Sequence, residues 1–196
     1  MDVWATTDQR QPLRDAPAHA RRAEQLGYTG LQVPEAVHDG LLAAALALEH
    51  TTRLRVATSV LIAFPRSPMV VAIAAWDLAA LSKGRFELGL VSQVRGNLEG
   101  RYGVAWSPPA PRMREYAGAL RAIWRCWQEG APLAFRGEHY RFDRMQPFFA
   151  PDPLASAPPA IALGGVGPAM TRLAGEVADS LVTHPTNSCP PVLRAR

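Results

Sequence analysis

The sequence predicts an α/β fold built on a parallel β-sheet, and it favours a (β/α)8 TIM barrel over an open doubly wound sheet. Short apolar runs alternate with alanine-rich helical runs, a pattern typical of parallel sheets. The first four strands recur at roughly 25–32 residues, near the ~31 residues per unit of a barrel. The 196 residues hold only about six such units. We therefore predict an incomplete barrel.

Four strands, with a helix after each of the first three, are predicted in the first half of the chain. The strands are short apolar runs at 2–6, 30–34, 54–64 and 85–91. The third run is almost entirely apolar, so we expect it to be buried on both faces. Helix ends carry the usual signals. The N-caps are expected at Asp15 and Ser67, and the C-terminal glycines are expected at Gly27 and Gly84.

The regular alternation breaks after the fourth strand. Glycines and prolines make 92–112 a long irregular stretch, and we predict an insertion region at about 92–158 within one barrel domain, 1–196. Inside it we expect a helix over 113–130 and a hairpin around Arg136-Gly137. A fifth strand at 160–165, a helix ending near Val177 and a sixth strand at 179–184 follow. The apolar face of the long helix comprises Met113, Tyr116, Leu120, Ile123 and Trp127.

Composition argues against several functional classes. The formal net charge is +4, but the chain has a single lysine and dispersed arginines, without the basic stripe that nucleic-acid binding requires. No apolar run is long enough to span a bilayer. The N-terminus has no secretory signal pattern, and Cys126 and Cys189 have no metal-ligand spacing. We expect a cytoplasmic protein with reduced thiols, without a metal site, a nucleic-acid partner or a membrane partner.

Candidate catalytic residues follow the second strand, because function in a parallel barrel gathers at the carboxyl ends of the strands. Glu35, His38 and Asp39 lie there. His38 can titrate near neutral pH, and either carboxylate can orient it as a proton carrier. The alternative is a structural histidine at a helix start. His184, at the end of the sixth strand, is a second candidate.

The stretch GGVGP at 164–168 connects the fifth strand to the next helix. Backbone N–H groups and the helix dipole converge at such turns and can hold a phosphate, with Gly165, Val166 and Gly167 as donors. The turn does not fit G-x-G-x-x-G, which argues against NAD. The alternative is a tight strand-to-helix turn with no ligand.

Three stretches together resemble the luciferase-like monooxygenase superfamily and, within it, the coenzyme F420-dependent oxidoreductases. They are LGYTGLQVPEAVHDG, LRVATSVLIAFPRSPMVVAIAAWDLAALSKGRFELGLVSQV and PPAIALGGVGPAMTRLAGEVADSLVTHP. The resemblance covers about 27–185 and implies a luciferase-like barrel with coenzyme F420, or alternatively FMN, at its C-terminal mouth. It also implies a small-molecule substrate that exchanges a hydride with the deazaflavin, and a histidine at position 38 as proton carrier.

The resemblance also implies coenzyme-binding residues. A bulge in the third strand, often with a non-proline cis peptide, supports the coenzyme ring, and it falls on Ala63 and Phe64; an ordinary strand end before Pro65 is the alternative. Ser92, Gln93 and Val94 lie along the ring edge or the ribityl-like chain, and the turn at 165–167 holds the phosphate.

Two other functions compete with the F420-dependent oxidoreductase. One is an FMN-dependent monooxygenase of the same superfamily, and the other is an inactive flavin-binding or subunit-interaction fragment. The chain resembles a barrel whose last units are missing. Because two strand edges and an apolar interior would then be uncovered, we expect self-association as a homo-oligomer.

Overall fold

The computed structural model describes residues 2–184, in which seven strands form one parallel sheet and two form a separate hairpin. The strands are β1 (Trp4–Thr6), β2 (Gly30–Val33), β3 (Arg55–Thr58), β4 (Leu61–Ile62), β5 (Phe86–Val91), β6 (Phe135–Arg136), β7 (Arg141–Phe142), β8 (Ala160–Gly164) and β9 (Ser180–Val182). The helices are α1 (Ala16–Gln25), α2 (Gly40–Glu49), α3 (Pro68–Ser82), α4 (Arg95–Gly100), α5 (Pro109–Glu129) and α6 (Pro168–Val177).

The order of the strands confirms the barrel class. Neighbours in the sheet run β1-β2-β3-β5-β8-β9, all parallel, and β4 continues the path of β3 beside β5. This order never reverses, whereas a doubly wound sheet reverses at its switch point. The predicted hairpin is also confirmed, since β6 and β7 pair antiparallel. The described residues thus supply six consecutive strand positions of a (β/α)8 barrel.

Helix ends agree with the predicted signals except at the start of the first helix. The Ser67 hydroxyl accepts a hydrogen bond from the Met69 N–H, and Gly27 and Gly84 have φ values of +83° and +84°. Asp15 occupies the N-cap position of α1, as predicted, but its side chain does not cap the helix. It closes a 3-10 turn with a helical backbone, φ −92° and ψ −12°, and makes no capping bond. A capping side chain needs an extended backbone to reach the N–H groups beyond it.

The third predicted strand is interrupted, contrary to the expectation of one continuous buried run. β3 ends at Thr58, and β4 begins again at Leu61. Between them lies the strand break, Ser59 and Val60, joined by a cis peptide bond. The bulge placed at Ala63 and Phe64 from the family resemblance is therefore located wrongly.

The two faces of the sheet differ in polarity. Apolar side chains on the convex face pack against the helices and are almost fully buried; they include Leu31, Val56, Leu88, Leu90, Ile161 and Leu163. On the concave face, a polar layer borders a cavity of about 270 Å3. Arg55 donates to the Glu87 carboxylate at 3.2 Å, and its guanidinium carbon lies 5.2 Å from the centroid of the Trp4 ring. The expected apolar interior is thus wrong for this layer, because the two-residue period of each strand sends polar residues to the concave side.

The region at 92–158 contains more regular structure than expected. α4 lies within the stretch predicted to be irregular, and α5 begins at Pro109, four residues before the predicted start Met113. The apolar face predicted for this helix is confirmed, since its five residues are all buried. α5 packs between α3 and α6, so it serves as an outer helix of the barrel.

Two predictions from composition concern membrane-spanning helices and the cysteines. Among the described residues, no helix has both the length and the apolar character needed to cross a membrane. Cys126 is a half-buried free thiol, and burial raises its pKa. Cys189 lies outside the described residues.

Gly89 of β5 provides a direct test of the packing at the strand break. Its N–H donates to Thr58 Oγ1 at 2.9 Å, and its carbonyl accepts from the same hydroxyl at 2.9 Å. A Cβ at Gly89 would overlap the Thr58 carbonyl oxygen, whereas a Cβ at Gly100 meets no atom within 4 Å. We expect Gly89→Ala to lower the free energy of unfolding by about 3 kcal/mol and Gly100→Ala to leave it unchanged or slightly higher. Equal urea midpoints for the two variants would contradict this packing.

Glu115 provides a pH-dependent test of how α5 holds the hairpin. Its carboxylate accepts the N–H groups of Glu138, His139 and Tyr140 at 2.9, 2.8 and 3.2 Å. Burial alone would raise the pKa of Glu115, but these donors outweigh it, and the pKa lies below its ordinary value. A carboxylate whose pKa is lowered in the folded state stabilises the fold fully at pH values above its ordinary pKa. This stabilisation is lost as the pH falls through the lowered pKa.

We therefore expect Glu115→Gln to cost about 1–2 kcal/mol at pH 7, and the difference from wild type to shrink below about pH 4.5. The measurement is urea unfolding between pH 7 and pH 3. Glu129→Gln is the control, because Glu129 is exposed on the same helix and makes no hydrogen bond within residues 2–184. A difference that stays constant over this pH range would show that the carboxylate charge is not what holds the hairpin.

Candidate functional site

The carboxyl ends of the parallel strands meet at one rim of the barrel, which we call the mouth. It comprises the loop at 34–39, the strand break, residues 92–94 and the turn at 165–167. Val60 of the strand break lies over two glycines of neighbouring strands. A Cβ added at Gly89 would come within 3.3 Å of Val60 Cγ1, and one at Gly164 within 3.4 Å of Val60 Cγ2. The absence of side chains at both glycines lets the strand break close over β5 and β8.

Two of the predicted catalytic residues, Glu35 and Asp39, bind the same arginine. Arg66 Nη2 lies 2.6 Å from Glu35 Oε1 and 2.9 Å from Asp39 Oδ2, and Arg66 Nη1 lies 3.1 Å from Glu35 Oε2. The other Asp39 oxygen accepts the N–H groups of Leu41 and Leu42 and caps α2. Proton transfer by either carboxylate stays a prediction, but the contacts of both are with structural groups.

The electrostatics of this cluster favour the charged form of Arg66. The side chain of Glu35 is 7% exposed and that of Arg66 is 22% exposed. Burial alone would lower the pKa of Arg66, but the hydrogen bonds and charges of Glu35 and Asp39 outweigh it, and the pKa is raised. A half-buried guanidinium with two carboxylates therefore stays charged throughout the physiological pH range.

His38 lies between these two anchored residues. It is half-buried and makes no hydrogen bond or ion pair within residues 2–184. The expectation that Glu35 or Asp39 orients it is wrong, because the oxygens of both carboxylates bind elsewhere. The backbone of the same loop is also bound, because Arg101, which follows α4, donates to the Ala36 carbonyl at 2.7 Å. Hydrogen bonds therefore hold the loop before and after His38, while the His38 ring itself has no hydrogen-bond partner among the described residues. Its role as a proton carrier stays a prediction.

His184, the second histidine candidate, follows β9 at the same rim and is exposed. Its catalytic role also stays a prediction.

Of the three N–H groups predicted to bind a phosphate at the glycine-rich turn, two are available. The Gly165 N–H donates to the Val182 carbonyl at 3.0 Å, so its expected role as a phosphate donor is wrong: β9 takes that group. Val166 and Gly167 are exposed, and their N–H groups have no partner in the described part of the chain. A Cβ added at Gly167 meets no atom within 4 Å. In the first turn of α6, which begins at Pro168, the N–H groups of Ala169 and Met170 also have no partner within residues 2–184. The residues present therefore fit a phosphate group.

Residues 92–94 form a rigid turn at the end of β5. Gln93 has a φ of 71°, and its side-chain oxygen accepts the N–H of Val94 at 2.9 Å and the amide of Asn97 at 3.2 Å. The Ser92 side chain is largely buried, and its hydroxyl makes no hydrogen bond with the described residues. Val94 is exposed. Coenzyme contact by these three residues stays a prediction, with an unpaired hydroxyl available at the mouth.

Ala63 and Phe64 present little surface to a ligand. Both are buried, and the Arg112 guanidinium carbon lies 4.3 Å from the Phe64 ring centroid. Arg112 also donates to the Phe64 carbonyl at 3.3 Å and to the Tyr140 hydroxyl at 2.9 Å. Coenzyme contact by Ala63 and Phe64 stays a prediction.

Ser59 and Val60 were not predicted as site residues. The only local signal for them in the sequence is the polar pair Thr58-Ser59 inside an apolar run.

The chain matches the sequence profile of the luciferase-like monooxygenase family over residues 1–190. An uncharacterized protein of Mycobacterium tuberculosis is 47% identical over 162 residues, which cover 83% of this chain and 48% of that protein. The F420-dependent glucose-6-phosphate dehydrogenase of Nakamurella multipartita is 34% identical over 134 residues, which cover 68% of this chain and 38% of the enzyme. The chain thus spans about half the length, or less, of these curated relatives.

Among solved structures, the fold is similar to the oxygenating constituent of 3,6-diketocamphane monooxygenase from Pseudomonas putida, in complex with FMN. The TM-score is 0.76 at 17% identity, with 93% of this chain and 57% of that chain covered. At that identity the likeness concerns the fold alone.

Proposed function

We propose, from the premise that this chain belongs to the luciferase-like monooxygenase family, that it forms part of an oxidoreductase that holds coenzyme F420 at the mouth of the barrel. The observation that carries the proposal is the turn at 165–167, where two N–H groups have no partner within residues 2–184 and lie just before the start of α6. Such a site attracts a phosphate, which coenzyme F420 and FMN both carry.

Each end of the coenzyme has candidate contacts at the mouth. Val166 and Gly167 would hold its phosphate, and Ser59, Val60 and Ser92 would border its ring. When bound, a deazaflavin accepts or supplies a hydride, and the protein positions it against the substrate. The substrate class we propose is a small alcohol, ketone or conjugated alkene.

Coenzyme F420 is preferred over FMN because a relative that is 34% identical is named F420-dependent. FMN remains the alternative, because both cofactors present a phosphate and a tricyclic ring to the same mouth. A non-enzymatic chain that binds a flavin or another subunit is the third possibility, because this chain spans only part of its relatives.

His38 is our candidate for the group that exchanges a proton with the substrate. An alcohol that becomes a ketone loses a proton as well as a hydride, so a positioned base is needed. The ring of His38 has no competing partner in the described region, while Glu35, Ala36 and Asp39 around it are all bound. We assign the two carboxylates to holding this loop rather than to proton transfer.

A homo-oligomer stays part of the proposal. α2 and α3 carry apolar side chains on their outward faces, and four of these are about half exposed: Leu42, Val70, Ile73 and Leu81. Exposed apolar side chains on these two helices offer surface that a second copy of the chain could cover.

The first experiment titrates the protein separately with coenzyme F420 and with FMN, following the fluorescence of each. We expect saturable binding of F420, and a dissociation constant at least about tenfold higher for Gly167→Val, because a branched side chain crowds the N–H groups that face the phosphate. Gly175→Val is the control: Gly175 lies in α6, the helix that follows Gly167, and an added Cβ there also meets no atom within 4 Å. Tighter binding of FMN would favour the monooxygenase, and equal affinities of wild type and Gly167→Val would exclude the phosphate turn.

The second experiment concerns His38. With F420 bound, His38→Gln should reduce turnover of the alcohol or ketone by about 100-fold and change coenzyme affinity by less than about twofold. Absorbance of the oxidised coenzyme reports turnover across a panel of small alcohols, with ketones assayed in reverse. His50→Gln is the control, since His50 Nδ1 lies 2.9 Å from the Leu46 carbonyl at the far end of α2. Unchanged turnover in His38→Gln would return His38 to a structural role.

A further inference from the structure

The geometry points to Arg66 as a positioning residue that joins the His38 loop to the strand that follows the break, so that the two sides of the mouth keep a fixed separation. The inference rests on the proposed function, because it concerns the site where the coenzyme and the proton carrier would meet. Within residues 2–184, the Arg66 side chain makes no hydrogen bond with His38.

One side of this link is the loop at 35–39. Arg66 Nη2 binds Glu35 at 2.6 Å and Asp39 at 2.9 Å, so the guanidinium holds the residues three before and one after His38. Asp39 also caps α2 through its other oxygen, which accepts from Leu41 at 2.8 Å. The position of His38 is thereby set by the guanidinium and by the start of α2.

The other side of this link is Ile62 of β4, two residues after Val60. Arg66 Nη1 donates to the Ile62 carbonyl at 2.9 Å, and Glu35 Oε2 accepts the Ile62 N–H at 2.6 Å. Both backbone polar groups of Ile62 are therefore bound by the same ion pair. This contact fixes how β4 leaves the strand break, and hence where Val60 lies over the two glycines.

The backbone of Arg66 is also held by hydrogen bonds. Its N–H donates to the Ala63 carbonyl at 2.9 Å, and its carbonyl accepts from the Tyr116 hydroxyl of α5 at 3.2 Å. The side chain thus extends from a constrained backbone, and its several contacts require the planar fork of a guanidinium. A lysine keeps the charge but donates from a single nitrogen, so it cannot reproduce both carboxylate contacts and the Ile62 contact.

The experiment compares Arg66→Lys with Arg121→Lys. Arg121 is a matched control, because its Nη2 binds a carboxylate, Asp179, and a carbonyl, Val177, both at 3.2 Å, at the opposite end of β9 from the mouth. Three quantities are measured on each protein: amide hydrogen exchange of 35–39 and 59–64, the dissociation constant of coenzyme F420, and the absorbance spectrum of the bound coenzyme.

We expect Arg66→Lys to speed exchange in both segments by at least about tenfold, to weaken coenzyme binding by about tenfold and to shift the bound spectrum. Arg121→Lys should change each quantity by less than about twofold. Unchanged exchange in either segment would overturn the link between loop and strand. Faster exchange with unchanged binding and spectrum would overturn the positioning role at the mouth.

A second variant keeps the inference testable if Arg66→Lys does not fold. Asp39→Asn retains an oxygen that can cap α2 and loses the ion pair with Arg66. It should speed exchange in 35–39 and leave 59–64 unchanged, because Glu35 still binds Ile62; equal effects on both segments would contradict the conclusion that Asp39 holds 35–39 while Glu35 holds Ile62. If wild type binds neither F420 nor FMN, the proposed function fails, while the exchange data still decide whether Arg66 joins the two segments.

Discussion

Arg66 lies where four parts of the fold meet, since its guanidinium binds the loop after β2, the cap of α2 and the backbone of β4, while its own carbonyl accepts from α5. A half-buried ion cluster of this kind adds little net stability, because desolvation offsets the attraction between the charges. Removing one partner is a different matter, because it leaves buried charge unpaired at a cost of about 3–5 kcal/mol. The cluster is better understood as a device that specifies one arrangement of the mouth than as a source of stability.

Close packing of the backbone imposes a second constraint on the same region. Gly89 and Gly164 leave room for the strand break, and Thr58 replaces regular ladder contacts with two hydrogen bonds to Gly89. Side chains at these glycines would push Ser59 and Val60 away from β5 and β8. The shape of the mouth thus depends on residues that contribute no side-chain chemistry of their own.

Against this background, the groups without partners stand out. Around the mouth, the carboxylates, the Gly165 N–H and the Gln93 side-chain oxygen are all bound within the protein. The His38 ring, the Ser92 hydroxyl and the N–H groups of Val166 and Gly167 are not bound within residues 2–184. The N–H groups of Val166 and Gly167 are exposed just before the start of α6, where an anion is favoured, so this arrangement suits a ligand that carries a phosphate. The same comparison separates the residues we assign to binding and proton transfer from those we assign to positioning.

The order of the elements, the barrel class and several local features could be predicted from the sequence. Ser67, Gly27, Gly84 and the buried face of α5 were correctly identified because capping, left-handed glycines and helical periodicity depend on neighbours within a few residues. The sequence does not show where the third strand breaks, which carboxylates bind Arg66, or that β9 takes the Gly165 N–H; these follow from the tertiary structure. Each of these depends on a partner 17 or more residues away, and local periodicity carries no information about which distant groups the parallel register brings together.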